Sequence, residues 1–290
     1  MLRPTHTLRT LLAAACLAAC TDMPAGSAAF DERLATLPAD ATLVVSLDAP
    51  ALVADAQVAA LLSSLGVPAG ILDGVPDGLE VDEVRLGCGR EGCVALLDGN
   101  FAGAGAVLDA SVGRAPAELE AVRIVADRPG LDLLGPGGED VVFRVLSTDK
   151  AVVGDRAAVQ AAWERGGSGG LDPTAIAARV PASENWALIL DPKGFETFAI
   201  ARAGGVSDAS ASALAARFES GRTRFPDLAS AESVGIGLSG GTARIRVTAP
   251  DDACAVAVEA RARATTLGRA VRIQRSGRVV DAEGSWGDLR

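Results

Sequence analysis

The sequence has 290 residues, of which 49% are hydrophobic and 22% charged, and its formal net charge is −10. Such a composition is typical of a packed globule rather than a disordered chain. The length allows one large domain or two small ones. Because nucleic acid and anionic lipid headgroups repel a negatively charged surface, we expect no nucleic-acid partner.

The first residues have the pattern of an export signal. Arg3 and Arg9 precede an apolar run over residues 11–19. That run is about half the ~20 residues that a membrane-spanning helix requires. A basic start, a short apolar core and small residues before a cleavage site are typical of a secretory signal peptide.

The end of this run, Leu17-Ala18-Ala19-Cys20, resembles the lipobox of bacterial lipoproteins, in which the cysteine receives lipid and signal peptidase II cleaves before it. The resemblance implies a signal peptide over residues 1–19, a diacylglyceryl group on Cys20 and a membrane-anchored envelope protein. Thr21 follows in place of the aspartate that favours inner-membrane retention, so the outer membrane is the expected location. The alternative is an ordinary secretory signal in which Cys20 has no role.

Loss of the leader would remove the chain's one histidine, His6, and the sequence has no tyrosine. A mature chain without imidazole excludes Ser-His-Asp and Cys-His catalysis and His-ligated zinc. Gly103 and Gly105 could supply the first two glycines of a G-x-G-x-x-G loop, but the third would fall at Leu108. No nucleotide loop is therefore predicted. The acidic residues at 73–83 do not follow the calcium-binding EF-hand spacing. We therefore predict no metal, no cofactor and no enzymatic activity.

Residues 20–29 are small or polar and predict a flexible tether, and a first α+β unit follows over residues 30–170. Its predicted elements are a strand at 43–47, a helix from Asp48 to about residue 65, strands at 81–87 and 94–99, a helix at 102–112 and a strand at 122–126. This β-α-β-β-α-β order is that of a ferredoxin-like unit. A β-rich extension adds strands at 131–134, 141–146 and 151–154 and a helix at 156–165.

Cys88 and Cys93 flank a four-residue turn between the strands at 81–87 and 94–99. Such a hairpin places the two side chains opposite each other. In an oxidising envelope we predict a structural disulfide that fixes the turn. A redox-active pair and two free thiols are the alternatives. Cys254, with no partner nearby in sequence, is predicted to be a buried and inert thiol.

Glycines at 166, 167, 169 and 170 predict a linker to a second α+β unit over residues 171–290. Its predicted elements are strands at 186–190, 234–238, 243–247, 271–274 and 279–282, and helices at 195–203, 210–219 and 251–267. Both units begin with a strand that ends in Leu-Asp. We infer two ferredoxin-like units that arose by duplication. The last helix is predicted to bury the face that contains Ala253, Val256, Ala257, Ala260, Ala264 and Leu267.

Two sets of residues are candidate functional sites. Asp48 and Asp191 end corresponding strands, where they either cap helices or form a carboxylate pair able to transfer protons. Arg244 and Arg246 alternate with apolar residues, and Gly235 and Gly237 do so on the neighbouring strand. These four residues are predicted to line the sheet face opposite the helices. We expect that face to be covered by the other unit, by the β-rich extension, or by a ligand or partner.

The function that the sequence favours is a non-catalytic binding or interaction module, held at the membrane by its lipid and able to contact an envelope protein. The alternatives are a carboxylate-dependent hydrolase of envelope glycan and a carrier of an apolar ligand or lipid. The hydrolase would need its tryptophans to meet two acids in one groove, and the carrier would need a cavity between the units.

Overall fold

The computed structural model describes residues 32–50, 79–90, 92–112, 120–124, 129–134, 141–165, 169–206, 208–224, 226–264 and 271–285. The predicted signal peptide, Cys20, the tether and most of the helix predicted after Asp48 lie outside these residues. Among the described residues, no helix combines the length and the apolar character needed to cross a bilayer.

Twelve strands form one sheet. They are β1 (Leu43–Asp48), β2 (Glu80–Gly89), β3 (Gly92–Asn100), β4 (Glu120–Ile124), β5 (Gly130–Leu134), β6 (Val141–Val145), β7 (Lys150–Asp155), β8 (Asn185–Ile189), β9 (Ser233–Ser239), β10 (Thr242–Thr248), β11 (Arg272–Ser276) and β12 (Val279–Ser285). Their spatial order is β11-β12-β10-β9-β8-β1-β2-β3-β7-β6-β5-β4. The two predicted units therefore share a single sheet, joined where β1 pairs with β8.

The helices are a 3-10 helix (Glu32–Thr36), α1 (Ala104–Val112), α2 (Arg156–Arg165), α3 (Pro173–Ala177), α4 (Pro192–Val206), α5 (Asp208–Arg224), α6 (Pro226–Ala229) and α7 (Asp252–Ala264). The predicted α+β class is confirmed, and the helix predicted at 156–165 has the bounds of α2. The short helix α3 was not predicted, although its signal is present. Asp172 caps it by accepting a hydrogen bond from the Thr174 N–H, and Pro173 occupies its first turn.

The ferredoxin-like strand pairing is not what the structure shows. In a ferredoxin-like unit the first strand lies between the third and the fourth, and the second lies outside the third. Here β1 pairs antiparallel with β2 and with β8, and every pairing among the described strands is antiparallel. The order of the predicted strands and helices that fall within the described residues agrees with the prediction, but order alone does not determine which strands become neighbours.

Each face of the sheet carries its own hydrophobic core. On one face, α1, α4, α6 and α7 pack on alternate strand residues such as Val45, Leu97 and Ile245. On the opposite face, α2, α3 and the 3-10 helix pack on residues such as Val44, Leu96 and Leu188. Residues 43–47 of β1 are all buried because helices cover both sides of the sheet centre. We call the side with α2 and α3 the ionic face, because its flanks carry the charged residues described below.

The buried side of α7 differs from the prediction. Its buried residues are Ala255, Val258 and Ala262, whereas Val256, at the centre of the predicted face, is 49% exposed. Alanine and valine occupy both sides of this helix, so hydrophobic periodicity could not identify the side that packs on the sheet.

Candidate functional site

Arg244 and Arg246 lie on β10 on the ionic face, and each is paired across the sheet with an acid of β12. Arg246 makes a two-pronged ion pair with Asp281, through Nε to Oδ1 at 2.6 Å and Nη2 to Oδ2 at 2.8 Å. Arg244 Nε lies 3.3 Å from Glu283 Oε2. The strand register places each arginine directly opposite its acid. Opposite charges in this arrangement stabilise neighbouring strands.

The same arginines hold the chain segment that covers this part of the sheet. Arg244 Nη1 donates to the Ala182 carbonyl at 2.6 Å, and Arg246 Nη1 donates to the Val180 carbonyl at 3.3 Å. The glycines of β9 make room for the segment, because a Cβ on Gly235 would lie 2.7 Å from the Arg179 carbonyl oxygen. The cover is thus the connection between α3 and β8, rather than the other unit or the β-rich extension.

A second charged group is buried beneath α2. Asp132 on β5 accepts hydrogen bonds from Arg144 on β6 and from Arg156 at the start of α2. The guanidinium of Arg144 lies 5.8 Å from the centre of the Trp163 ring, a cation–π contact. The side chains of Asp132 and Arg144 are only 7% and 8% exposed. No sequence motif indicated this group, although Asp132 and Arg144 do interrupt predicted apolar strands.

A third charged group lies on β1, β2 and β3. Arg85 pairs with both Glu83 and Asp98, and the Ser46 hydroxyl donates to Glu83 at 3.1 Å. Glu83 and Asp98 are direct cross-strand partners, which would repel each other without a cation between them. Arg85 therefore offsets the repulsion between two acids that the register brings together.

Asp48 and Asp191 do not form a carboxylate pair. Their strands β1 and β8 run antiparallel, so the two aspartates lie at opposite ends of the sheet. The Asp48 N–H donates to Asn185 Oδ1 at one end, whereas at the other Leu190 N–H donates to the Thr42 carbonyl. The rise of a strand puts the aspartates roughly 20 Å apart. Asp191 caps α4 by accepting from the Lys193 N–H, as the alternative prediction proposed.

The described tryptophans do not line a common groove. Trp186 is 4% exposed and packs in the core of the ionic face, and Trp163 stacks on Arg144. Trp286 lies outside the described residues. Among those residues, no group of three or more histidine, cysteine or acidic side chains is placed to hold a metal ion.

The disulfide between Cys88 and Cys93 is confirmed. The two cysteines face each other across the β2–β3 hairpin, with Cα atoms 4.1 Å apart, and both are buried. The third cysteine of the body, Cys254, is half-buried and unpaired. Burial, followed by the nearby charges of Asp227 and Asp251, raises the pKa of the Cys254 thiol, so the thiol stays protonated and unreactive at neutral pH.

Glu259 connects α7 to the edge strand β11. Its carboxylate accepts hydrogen bonds from Arg263 at 2.9 Å and from Arg275 at 3.1 Å, and the hydrogen bond from Arg263 is the larger cause of its lowered pKa. A carboxylate with a lowered pKa in the folded state stabilises the protein above its unfolded-state pKa. That stabilisation is lost as the pH falls through the folded-state value.

We therefore expect Glu259→Gln to reduce the free energy of unfolding by about 0.5–1 kcal/mol at pH 7. The difference from wild type should narrow as the pH falls below about 4, where the wild-type carboxylate also becomes protonated. Urea titrations of both proteins at pH 7 and pH 3 measure this. A difference that stays constant across this range would contradict the ionic origin of the effect.

Comparison with solved protein structures finds similar chains, one of which is TP0453. TP0453, in its crystal form I, aligns with 89% of this chain and 94% of its own, with a TM-score of 0.47 and 8% sequence identity. No protein-family model matches the chain, and no curated protein matches it either. A functional proposal must therefore come from the chain's own residues.

Proposed function

We propose that this chain is an exported lipoprotein, anchored by lipid on Cys20 to the outer membrane of a bacterial envelope, where it acts as a non-catalytic binding module. The observation that carries the proposal is Leu17-Ala18-Ala19-Cys20, which follows two arginines and a short apolar run. One acyl chain gives only marginal membrane binding, whereas the two or three chains of a lipoprotein give a durable anchor.

The hairpin disulfide supports export. Disulfides persist in oxidising compartments such as the bacterial periplasm and are rare in the cytosol. Cys88 and Cys93 form one within the sheet core, where both side chains are at most 5% exposed. A buried disulfide of this kind supports a structural role in a protein that folds after secretion.

Three features support a binding module over an enzyme. A mature chain would have no histidine, the two candidate aspartates are at opposite ends of the sheet, and Trp186 is too buried to form a sugar platform. We propose the surface around Arg244 and Arg246 as the contact for an envelope partner. These side chains keep 27% and 28% of their surface exposed, outside the covering segment.

The anchor is tested by metabolic labelling with an alkyne fatty acid in a bacterial host, followed by membrane fractionation. We expect wild type to carry the label and to sediment with membranes, and Cys20→Ala to lose both properties completely. Cys16→Ala is the matched control, because it removes a thiol from the leader without altering the modified residue, and it should behave as wild type.

An unlabelled wild-type protein, or a Cys20→Ala variant that keeps its label, would refute the anchor. An unlabelled but secreted and shortened wild-type chain would identify an ordinary secretory signal instead.

We also infer a duplication, now supported by strand pairing rather than by the ferredoxin-like pattern. Outward from the centre, one half of the sheet is ordered β1-β2-β3-β7-β6 and the other β8-β9-β10-β12-β11. In each half, the central strand (β1 or β8) is followed along the chain by a hairpin (β2–β3 or β9–β10). The last strand of the half in sequence (β7 or β12) pairs with the outer strand of that hairpin. β4 and β5 extend one half only.

A further inference from the structure

The disulfide hairpin of the first half and helix α4 of the second half contact the same carboxylate. Asp155, at the end of β7, accepts a hydrogen bond from the Cys93 N–H, with 2.6 Å between nitrogen and Oδ2. The same oxygen lies 2.8 Å from Nη1 of Arg202 on α4. Among the described residues, this is the ion pair that joins a side chain at positions 32–165 to one at positions 169–285.

Two glycines allow this close approach. A Cβ on Gly92 would lie 2.3 Å from Asp155 Oδ2, and a Cβ on Gly154 would lie 2.2 Å from the Cys93 carbonyl oxygen. Both glycines also have positive φ angles, 114° and 152°, which residues other than glycine rarely adopt. The position of the Asp155 carboxylate therefore depends directly on the backbone beside Cys93.

We propose that the Cys88–Cys93 disulfide and the docking of α4 are coupled through Asp155, so that the state of the disulfide controls how firmly α4 is held. With the disulfide closed, the Cys93 N–H is fixed and orients the carboxylate towards Arg202. With it open, the hairpin tip relaxes and the ion pair weakens. This coupling does not depend on the proposed lipid anchor.

Opening requires a dithiol reductant. It supplies two electrons and two protons, so that the Cys88–Cys93 bond becomes two thiols while the reductant forms its own disulfide. Coupling between two sites is reciprocal. If the closed disulfide strengthens the Asp155–Arg202 pair, then loss of that pair must make the disulfide easier to reduce by the same factor.

The test is the reduction equilibrium of the full chain in mixtures of reduced and oxidised dithiothreitol. The reduced fraction is measured by alkylation and mass spectrometry of the peptides that contain Cys88 and Cys93, so the other cysteines do not contribute. We expect Arg202→Gln to shift the equilibrium constant towards reduction about two- to fivefold, the range for a partly exposed ion pair. Arg202 and the Cys93 N–H share Oδ2 of Asp155, so the shift reports transmission through this carboxylate.

Two further variants make the result specific. Arg222→Gln removes a different ion pair of α4, the one between its Glu196 and Arg222 of α5. This variant should leave the reduction equilibrium of the disulfide unchanged. In an Asp155→Asn background, Arg202→Gln should produce no additional shift.

Three results of the equilibrium measurement would overturn the proposal. They are an Arg202→Gln curve that superimposes on wild type, an equal shift from Arg222→Gln, and an undiminished Arg202→Gln shift in the Asp155→Asn background. Amide hydrogen exchange gives an independent check, since reduction of wild type should speed exchange in α4 (Pro192–Val206). Unchanged α4 exchange on full reduction would also contradict the coupling.

Discussion

Replacement of Asp132 by alanine should lower the free energy of unfolding by about 3–5 kcal/mol, because it leaves a buried guanidinium without its counter-charge. Arg144 is 8% exposed on its side chain and donates to Asp132 and to the Phe143 carbonyl. Its Nε has no hydrogen-bond partner among the described residues. With Asp132 removed, neither Arg156, which is also positive, nor the Trp163 ring can neutralise the remaining charge.

Urea unfolding of the variant and of Asp149→Ala measures the effect. Asp149 is exposed, accepts a hydrogen bond from the Ser147 hydroxyl and lies 4.0 Å from Lys150 Nζ, and because exposed polar contacts contribute little, its removal should change stability by less than about 1 kcal/mol. The double variant Asp132→Leu with Arg144→Met should recover most of the loss, because a buried ion pair can often be replaced by apolar side chains. A loss below about 1 kcal/mol for Asp132→Ala would show that water reaches the site and that the charge is not desolvated.

Local patterns in the sequence predicted most elements well, because burial imposes a period on each of them. Apolar residues at 43–47, and alternation at 243–247, gave β1 and β10 to within one residue at either end. The turn between Cys88 and Cys93 predicted both a hairpin and its disulfide, since residues opposite in an antiparallel pair are adjacent in space.

Pairing over long distances could not be predicted in this way. The contact of β1 with β8 joins residues more than 130 positions apart, and any apolar strand could have filled that place. For the same reason the sequence did not show that Asp48 and Asp191 point to opposite ends of the sheet. The ion pairs of Arg85 with Asp98 and of Arg144 with Asp132 join the neighbouring strands β2–β3 and β5–β6, and predicting them requires the exact register of each pair.

The covering segment over Gly235 and Gly237 was missed because the cover was expected to be the other unit, the β-rich extension, or a ligand or partner. A strand with glycines at alternate positions indicates that another backbone lies close to that side. The sequence contained this signal, but it could not identify residues 179–183 as the segment concerned.

Composition was misleading at one position of the predicted linker, Gly170. Glycines at 166, 167, 169 and 170 favour a flexible connection, and residues 166–168 lie outside the described residues. Gly170, however, is tightly packed. A Cβ there would lie 2.1 Å from the Ala35 carbonyl oxygen and 2.3 Å from that of Leu37. Glycine at this position is required by the neighbouring 3-10 helix rather than by chain flexibility.

Gly170→Ala should therefore destabilise the protein by about 2–3 kcal/mol, the cost of forcing a methyl group into packed backbone. The two carbonyls belong to the turn that leads into β1, and Arg165 at the end of α2 also donates to this turn, at the Thr36 carbonyl. The turn cannot move away without breaking that hydrogen bond. Relief must come from a shift of residues 169–171, and Leu171 is itself 7% exposed and packed in the core.

The matched control is Gly103→Ala, where a Cβ would meet no atom within 4 Å. Alanine there should be neutral or stabilise the protein by up to about 1 kcal/mol, because it reduces the entropy of the unfolded chain. Urea midpoints of the two variants and wild type, at equal m-values, measure the difference. Equal midpoints for Gly170→Ala and Gly103→Ala would mean that residues 166–170 act as the free linker that their composition suggests, and that the contact with the 3-10 helix contributes nothing to the folded state.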